Sequence, residues 1–176
     1  MHPIAQKIRE RFPQAIVGES EFRGELTVVV QKDRILPVCR YLHDDPDLGF
    51  DHITDVTAVD WSAAEVPGRE DENWRFEVVY HLYSVRHRRR IRIKARLPEE
   101  PAEIETVTGI WKGANFMERE TYDLMGIRFK NHPDLRRMFL PEDYDGHPLR
   151  KEYPAEGKGW RNRFEFLTIT NLNKPE

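Results

Sequence analysis

The sequence predicts an α+β fold: a two-layer domain whose helices cover a mostly antiparallel or mixed sheet, followed by an extended C-terminal tail. Three observations carry this. Two segments, 74–84 and 89–97, alternate strictly between apolar and polar residues across a short basic link. Helical spacing of apolar residues occurs near the N-terminus, over 35–41 and again from Glu103 to about Met125. After Gly126, Pro133, Pro141, Pro148 and Pro154 recur at intervals too short for long helices or central strands.

In chain order, residues 3–12 form a short amphipathic helix with Ile4 and Ile8 on one face, stopped by Pro13. Residues 25–31 are rich in β-branched residues and read as a strand. Ile35 to Tyr41 is helical, and Asp44, Asp45, Pro46 and Asp47 end it. Ile53, Val56, Thr57 and Val59 mark a strand over 52–61, and 66–73 is a polar loop.

In 74–84, Trp74, Phe76, Val78, Tyr80 and Leu82 share one face; in 89–97, Ile91, Ile93, Ala95 and Leu97 do. The short link predicts an antiparallel hairpin, which Pro98 and Pro101 terminate. From Glu103 to Met125, Gly109 and Gly113 interrupt the pattern, predicting two helices with a break near 111–115. A last alternation from Phe164 to Ile169 predicts one more strand. The expected division is a domain over 1–126 and a tail over 127–176.

The composition narrows the function classes. Of 176 residues, 34% are charged and 39% hydrophobic, a water-facing balance, and the net charge of −3 favours no particular partner. The N-terminus lacks a secretory apolar stretch, and no segment approaches the roughly 20 apolar residues of a membrane span. The single Cys39 excludes an internal disulfide and an iron–sulfur cluster ligated by this chain's cysteines alone. No glycine-rich phosphate loop and no nucleophile-elbow serine occur. None of the seven histidines pairs with another at the i, i+4 spacing that suits zinc. His43 beside Asp44, Asp45 and Asp47 reads as a solvated turn, and His132 and His147, each before proline, as structural residues.

The strongest electrostatic feature is basic: Arg86, His87, Arg88, Arg89 and Arg90, continuing through Arg92, Lys94 and Arg96 on one sheet face. Such a stripe reads first as a solvated face, then as a protein-docking face. Nucleic acid comes third, because the nearby aromatics fall on the apolar side and the pI is near 6.2. In the helix at 116–125, Arg119 and Asp123 lie four apart and can pair, whereas Glu118 and Glu120 diverge and cannot form a carboxylate dyad.

The run Glu118-Arg119-Glu120-Thr121-Tyr122-Asp123-Leu124-Met125, then His132, Arg136 and Met138-Phe139, resembles the signature of the C subunit of respiratory complex I, its 30 kDa subunit family. Tyr144, Gly146, His147, Pro148, Leu149, Arg150 and Lys151, in the stretch from Leu140 to Pro154, resemble that family's C-terminal hallmark. Many members carry tryptophan where this chain has Phe116, a departure that touches local packing only.

The resemblance implies a peripheral-arm subunit of the proton-pumping NADH:quinone oxidoreductase, on the cytoplasmic face of the bacterial inner membrane, and not the fused C–D form. It implies contact chiefly with the quinone-site D subunit of that complex and also with its cluster-bearing B and I subunits. NADH and quinone are then met only through the assembly, and FMN and the iron–sulfur clusters belong to partner subunits. No cofactor, metal or catalytic residue is expected on this chain. The motif residues, with Arg137, are expected at partner interfaces, and the tail is expected to wrap the D subunit with Arg136, Arg137, Arg150 and Lys151 on its carboxylates. An equivalent subunit of a membrane-bound [NiFe] hydrogenase or of a dehydrogenase using another donor is the alternative. A nucleic-acid-binding module is the third reading.

Overall fold

The computed structural model describes residues 2–62 and 73–158. Helix α1 (Pro3–Arg11) is started by His2, whose ring nitrogen accepts the Ile4 N–H at 3.2 Å, with Pro3 in the first helical position. It buries Ile4, Ala5 and Ile8. Strand β1 (Ile16–Phe22) is an element the apolar pattern did not predict: Gly18, Glu19 and Glu21 break the alternation, as suits a largely exposed edge strand. Arg23 and Gly24, both at positive φ, turn the chain into β2 (Glu25–Val30).

A 3-10 turn then leads into α2 (Ile35–Asp44), which buries Ile35, Val38, Cys39 and Leu42. Strands β3 (His52–Asp60), β4 (Phe76–Ser84) and β5 (Arg89–Leu97) follow. The five strands form one mixed sheet in the order β1-β2-β5-β4-β3, with β2 and β5 parallel and all other pairs antiparallel. The expected hairpin forms, Phe76 opposite Leu97 and Ser84 opposite Arg89.

Leu26, Val28, Phe76, Val78, Tyr80, Leu82, Ile91, Ile93 and Leu97 line the inner face, and all three helices contribute to the same core. A large apolar side chain fully buried there contributes about 1.5–3 kcal/mol. The opposite face is not simply solvated. Glu77 and Val79 are 4% and 5% exposed, sheltered in the middle of a sheet whose neighbouring side chains are long.

The region read as two helices is different. Glu103–Glu105 is a strand, β6, residues 106–113 are turns, and only Ala114–Met125 is helical, α3. β6 pairs in parallel with β7 (Arg128–Lys130), Ile104 opposite Phe129. The helix-like spacing of Ile104, Val107 and Trp111 arises because a short strand and a turn happen to bury residues at those intervals. Since β7 lies beyond Gly126, the packing has no break at the expected boundary. Residues 66–72 of the predicted loop and the predicted strand from Phe164 to Ile169 lie outside the described residues.

Helix α3 ends at Gly126, whose φ of 73° is left-handed and whose N–H reaches Tyr122 O at 2.9 Å. A Cβ there would stand 2.5 Å from Arg150 Nη2 and 2.6 Å from the His147 ring. Gly109, by contrast, has nothing within 4 Å. Gly126→Ala is therefore expected to destabilise the protein by about 2 kcal/mol, while Gly109→Ala stays within about 0.5 kcal/mol. Urea unfolding followed by circular dichroism measures both.

Candidate functional site

The residues that carry the family motif meet at the C-terminal end of α3, where the chain from Arg136 to Arg150 returns across it. Asp123 is the centre of this arrangement and is fully buried. One carboxylate oxygen accepts Arg137 Nη1 at 3.0 Å. The other accepts three consecutive backbone N–H groups, of Met138, Phe139 and Leu140, at 3.0, 2.8 and 3.0 Å. Burial alone would raise its pKa; the backbone donors and Arg137 outweigh that and hold it below the usual carboxylate value. Arg137 Nη2 also donates to Tyr144 O at 3.1 Å, so this side chain binds two parts of its own chain.

The second motif closes the helix end. The last carbonyls of a helix lack intrahelical partners. Here Asp123 O lies 2.8 Å from His147 Nδ1, Leu124 O accepts the Leu149 N–H at 3.0 Å, and Met125 O accepts Arg150 Nε at 2.7 Å. The Arg150 guanidinium also lies over the Phe76 ring, 5.2 Å from its centroid. Burial lowers the His147 pKa, so the ring is neutral and donates from Nδ1. The Tyr144 and Tyr153 rings stack, with their hydroxyls 2.7 Å apart, and that hydrogen bond pushes Tyr144 up to about 12. Gly146 gives the turn its positive φ of 97° beside the Tyr153 ring. Pro148 is half-buried between the two donors at 147 and 149.

Two expectations change. Arg119 does not pair with Asp123; it donates to Arg136 O at 3.2 Å and Arg137 O at 3.3 Å, holding the strap from the opposite side. Arg137 and Arg150 are directed into their own domain, where Asp123, Tyr144 O and Met125 O take their donors. The residues of the set that face outward are Glu120, Arg136, Leu149 and Lys151, although the Lys151 backbone N–H donates to Asp60 at 3.0 Å.

Glu118 is equally buried but has no comparable set of donors. Its Oε1 accepts the Val107 N–H at 2.8 Å, and Oε2 takes the Thr106 hydroxyl. His132 Nε2 is 3.9 Å away. That ring accepts the Asp134 N–H on Nδ1 at 3.0 Å and lies 3.3 Å from Asn115 O through Nε2, the arrangement of a neutral imidazole whose pKa burial lowers. Burial pushes Glu118 up to about 7, against the pull of Thr106 and Val107.

Asp60 and Arg75 form a second buried pair that sequence reasoning missed. Nε–Oδ1 is 3.1 Å and Nη2–Oδ2 is 2.8 Å, and Arg75 also meets Glu99 at 2.7 Å and Glu152. Arg75, the Lys151 N–H and the Ser62 N–H hold Asp60 well below the carboxylate range although burial opposes them. Only the β3–β4 register, Asp60 opposite Phe76, brings the two together, so nothing local in the sequence signals it.

The basic stripe is largely matched on its own face. Arg92 meets Glu25 at 3.2 Å, Lys94 meets Glu77 at 2.6 Å, and Arg96 lies 3.9 Å from Glu77 and over the Trp74 ring. Cys39 is buried, which raises its thiol pKa. Among the described residues no group of three His, Cys, Asp or Glu side chains could hold a metal, and no helix is long and apolar enough to cross a membrane.

Two outcomes follow from these carboxylates. Asp123→Asn leaves four donors facing a neutral amide and is expected to cost about 3 kcal/mol. It should also speed trypsin cleavage at Arg136 and Arg137, read by timed digestion and mass spectrometry. For Glu118 the folded pKa of about 7 exceeds the usual 4.5, so the folded state keeps a proton that the unfolded state has lost. Its contribution to stability therefore falls as pH rises from 4.5 to 7, by about 3 kcal/mol in all. His132 and His147, with lowered pKa values, push stability the other way below 6.5. Subtracting the pH profile of Glu118→Gln from that of the parent isolates the Glu118 slope; parallel profiles would contradict it.

Comparison with known proteins agrees with this geometry. The family model described as respiratory-chain NADH dehydrogenase, 30 Kd subunit, matches residues 28–159. The C subunit of NADH-quinone oxidoreductase from Geobacter metallireducens is 46% identical over 87% of this chain and 89% of its own length. Its counterpart from Geotalea uraniireducens is 48% identical over 86% of each. Among solved structures, the trypsin-resistant fragment of Nqo5 superposes with a TM-score of 0.62 at 31% identity, covering 75% of this chain and 96% of that one. A chain of the membrane-bound sulfane sulfur reductase, an archaeal respiratory membrane complex, gives 0.68 at 25% identity over 86% and 84%. The chain belongs to the 30 kDa subunit family of respiratory-chain NADH dehydrogenase, the family of the NADH-quinone oxidoreductase C subunits.

Proposed function

We propose that this chain serves as the peripheral-arm C subunit of an NADH:quinone oxidoreductase and contributes structure, not chemistry. The observation that carries the first half is identity of 46% across 87% of the chain with a protein of that name. The second half is supported by how the motif residues are used. Asp123 and Arg137 pair with each other, Asp123 takes the amides of 138–140, and His147 and Arg150 close the end of α3. Electrons then pass from NADH through FMN and iron–sulfur clusters to quinone in partner subunits, coupled to proton translocation. The chain lies on the cytoplasmic face of the bacterial inner membrane without inserting.

The D subunit is the main partner in this reading, with the B and I subunits nearby. The body over 1–126 carries the segment that follows it, and the strap from Arg136 to Leu149 turns its outer side to the D subunit. Support comes from Phe139 and Leu149, which are 61% and 57% exposed on a strap that Asp123 and Arg137 hold from within. Large apolar side chains on a preorganised segment suit an interface core. Arg136, paired only with the neighbouring Asp134 among the described residues, and Lys151 stand at its polar rim. The sulfane sulfur reductase neighbour shares the fold, so fold alone does not select the electron donor; the more similar relatives named for NADH and quinone favour the first reading over the hydrogenase-type alternative.

A tagged copy in the native host is expected to bring down the flavin-bearing and quinone-site subunits with NADH:quinone activity. The isolated chain should be colourless and free of stoichiometric iron. Recovery of a nickel-bearing large subunit instead would replace this reading with the alternative.

A further inference from the structure

The outer face of the sheet is charge-matched, but one end of it is not. The β1–β2 turn and the β4–β5 loop adjoin there: a shallow groove is lined by Gly24 and Glu25 from the first and by Arg88, Arg89 and Arg90 from the second. Around it Arg23, Arg86, Arg88 and Arg90 are exposed, and none has an ion pair with a described carboxylate. Of the acids nearby, Glu25 pairs with Arg92, Asp47 pairs with Lys7 and Asp51 accepts the Val85 N–H, while Asp55, which lines a pocket with Arg90, forms no ion pair with these arginines. Arg23 and Arg88 have φ values of 52° and 49°, left-handed positions that glycine or asparagine occupies more readily. Arginine there carries a local conformational cost that glycine would not.

Two of the four guanidinium groups lie over aromatic rings. Arg23 lies over the Phe22 ring at 5.1 Å and Arg90 over Tyr83 at 5.8 Å. Phe22 itself is 71% exposed and Val85 is 58% exposed. Arginine and aromatic side chains exposed side by side match the composition in which protein interfaces are enriched. The neighbouring stripe is neutralised by Glu25 and Glu77, so the positive field is confined to the tips and does not form a track for a phosphate backbone.

We propose that these two adjoining hairpin tips are a second docking surface, separate from the strap, for an Asp- and Glu-rich segment of another protein subunit. The proposal rests on the reading of the chain as a subunit of a larger assembly. The bound segment places carboxylates against Arg23, Arg86, Arg88 and Arg90, and an apolar side chain against Phe22 or Val85. Such complementarity sets orientation and speed of association more than final affinity.

The test uses the full-length tagged chain in its native host with the photo-crosslinking residue p-benzoylphenylalanine at Val85. The expected result is one adduct, mapped by mass spectrometry to an acidic segment of a co-purifying subunit. R86E, R88E and R90E together should abolish the adduct and lower incorporation about tenfold, with the isolated variant's melting unchanged. Subunits that co-purify while Val85 cross-links to nothing, to lipid or to nucleic acid would overturn the docking surface and leave the subunit reading standing. Failure of any subunit to co-purify would overturn both.

Discussion

A single buried carboxylate governs the C-terminal half of the molecule. Asp123 stands near the C-terminal end of α3, where the helix dipole disfavours negative charge, and it is removed from water. Either condition alone would favour a neutral residue. Three consecutive backbone N–H groups and one guanidinium offset both. Hydrogen bonds to a charged group are each worth about 1.5–3 kcal/mol, so four of them exceed what a buried carboxylate costs only because all are present together. Accepting three successive amides also fixes the backbone of 138–140, and with it the direction in which Phe139 points.

The same helix carries a second buried carboxylate with the opposite character. Glu118 has two neutral donors where Asp123 has four donors, one of them cationic, and the difference in partners is what separates an acid near pH 7 from a carboxylate held below its usual range. Around Glu118 the other buried polar groups carry no charge. Tyr80 has a hydroxyl without a hydrogen-bond partner among the described residues, and burial with the nearby Glu118 raises its pKa well above 10.0. His132 is neutral beside it. One end of α3 is thus held by a charged carboxylate, and the middle by a buried carboxyl among uncharged neighbours.

Much of the sheet was legible because its central strands, β4 and β5, obey the period of two that backbone geometry imposes on a half-buried hairpin. β1 was not legible, because an edge strand needs no apolar face and its Gly18, Glu19 and Glu21 resemble a loop. The misreading of 103–113 has a different cause: three buried residues at helical intervals cannot distinguish a helix from a strand followed by turns when glycine interrupts. The pairing of Asp123 was invisible for a third reason. Helical spacing offers Arg119 as the partner, while the real donors lie at 137–140, beyond β7 and a turn. The motif identified the family without disclosing which of its charges face inward.

That division between inward and outward charge bears on what a family signature means here. In this chain the Asp123 carboxylate takes Arg137 and the main chain of 138–140, His147 reaches Asp123 O and Arg150 reaches Met125 O, all across the end of one helix. A clamp of this kind makes the outer side of the strap rigid before any partner arrives, which lowers the ordering cost of association. Spacing within the motif then follows from geometry: the chain must leave α3, add β7 to β6, turn, and return with three amides aimed at one oxygen.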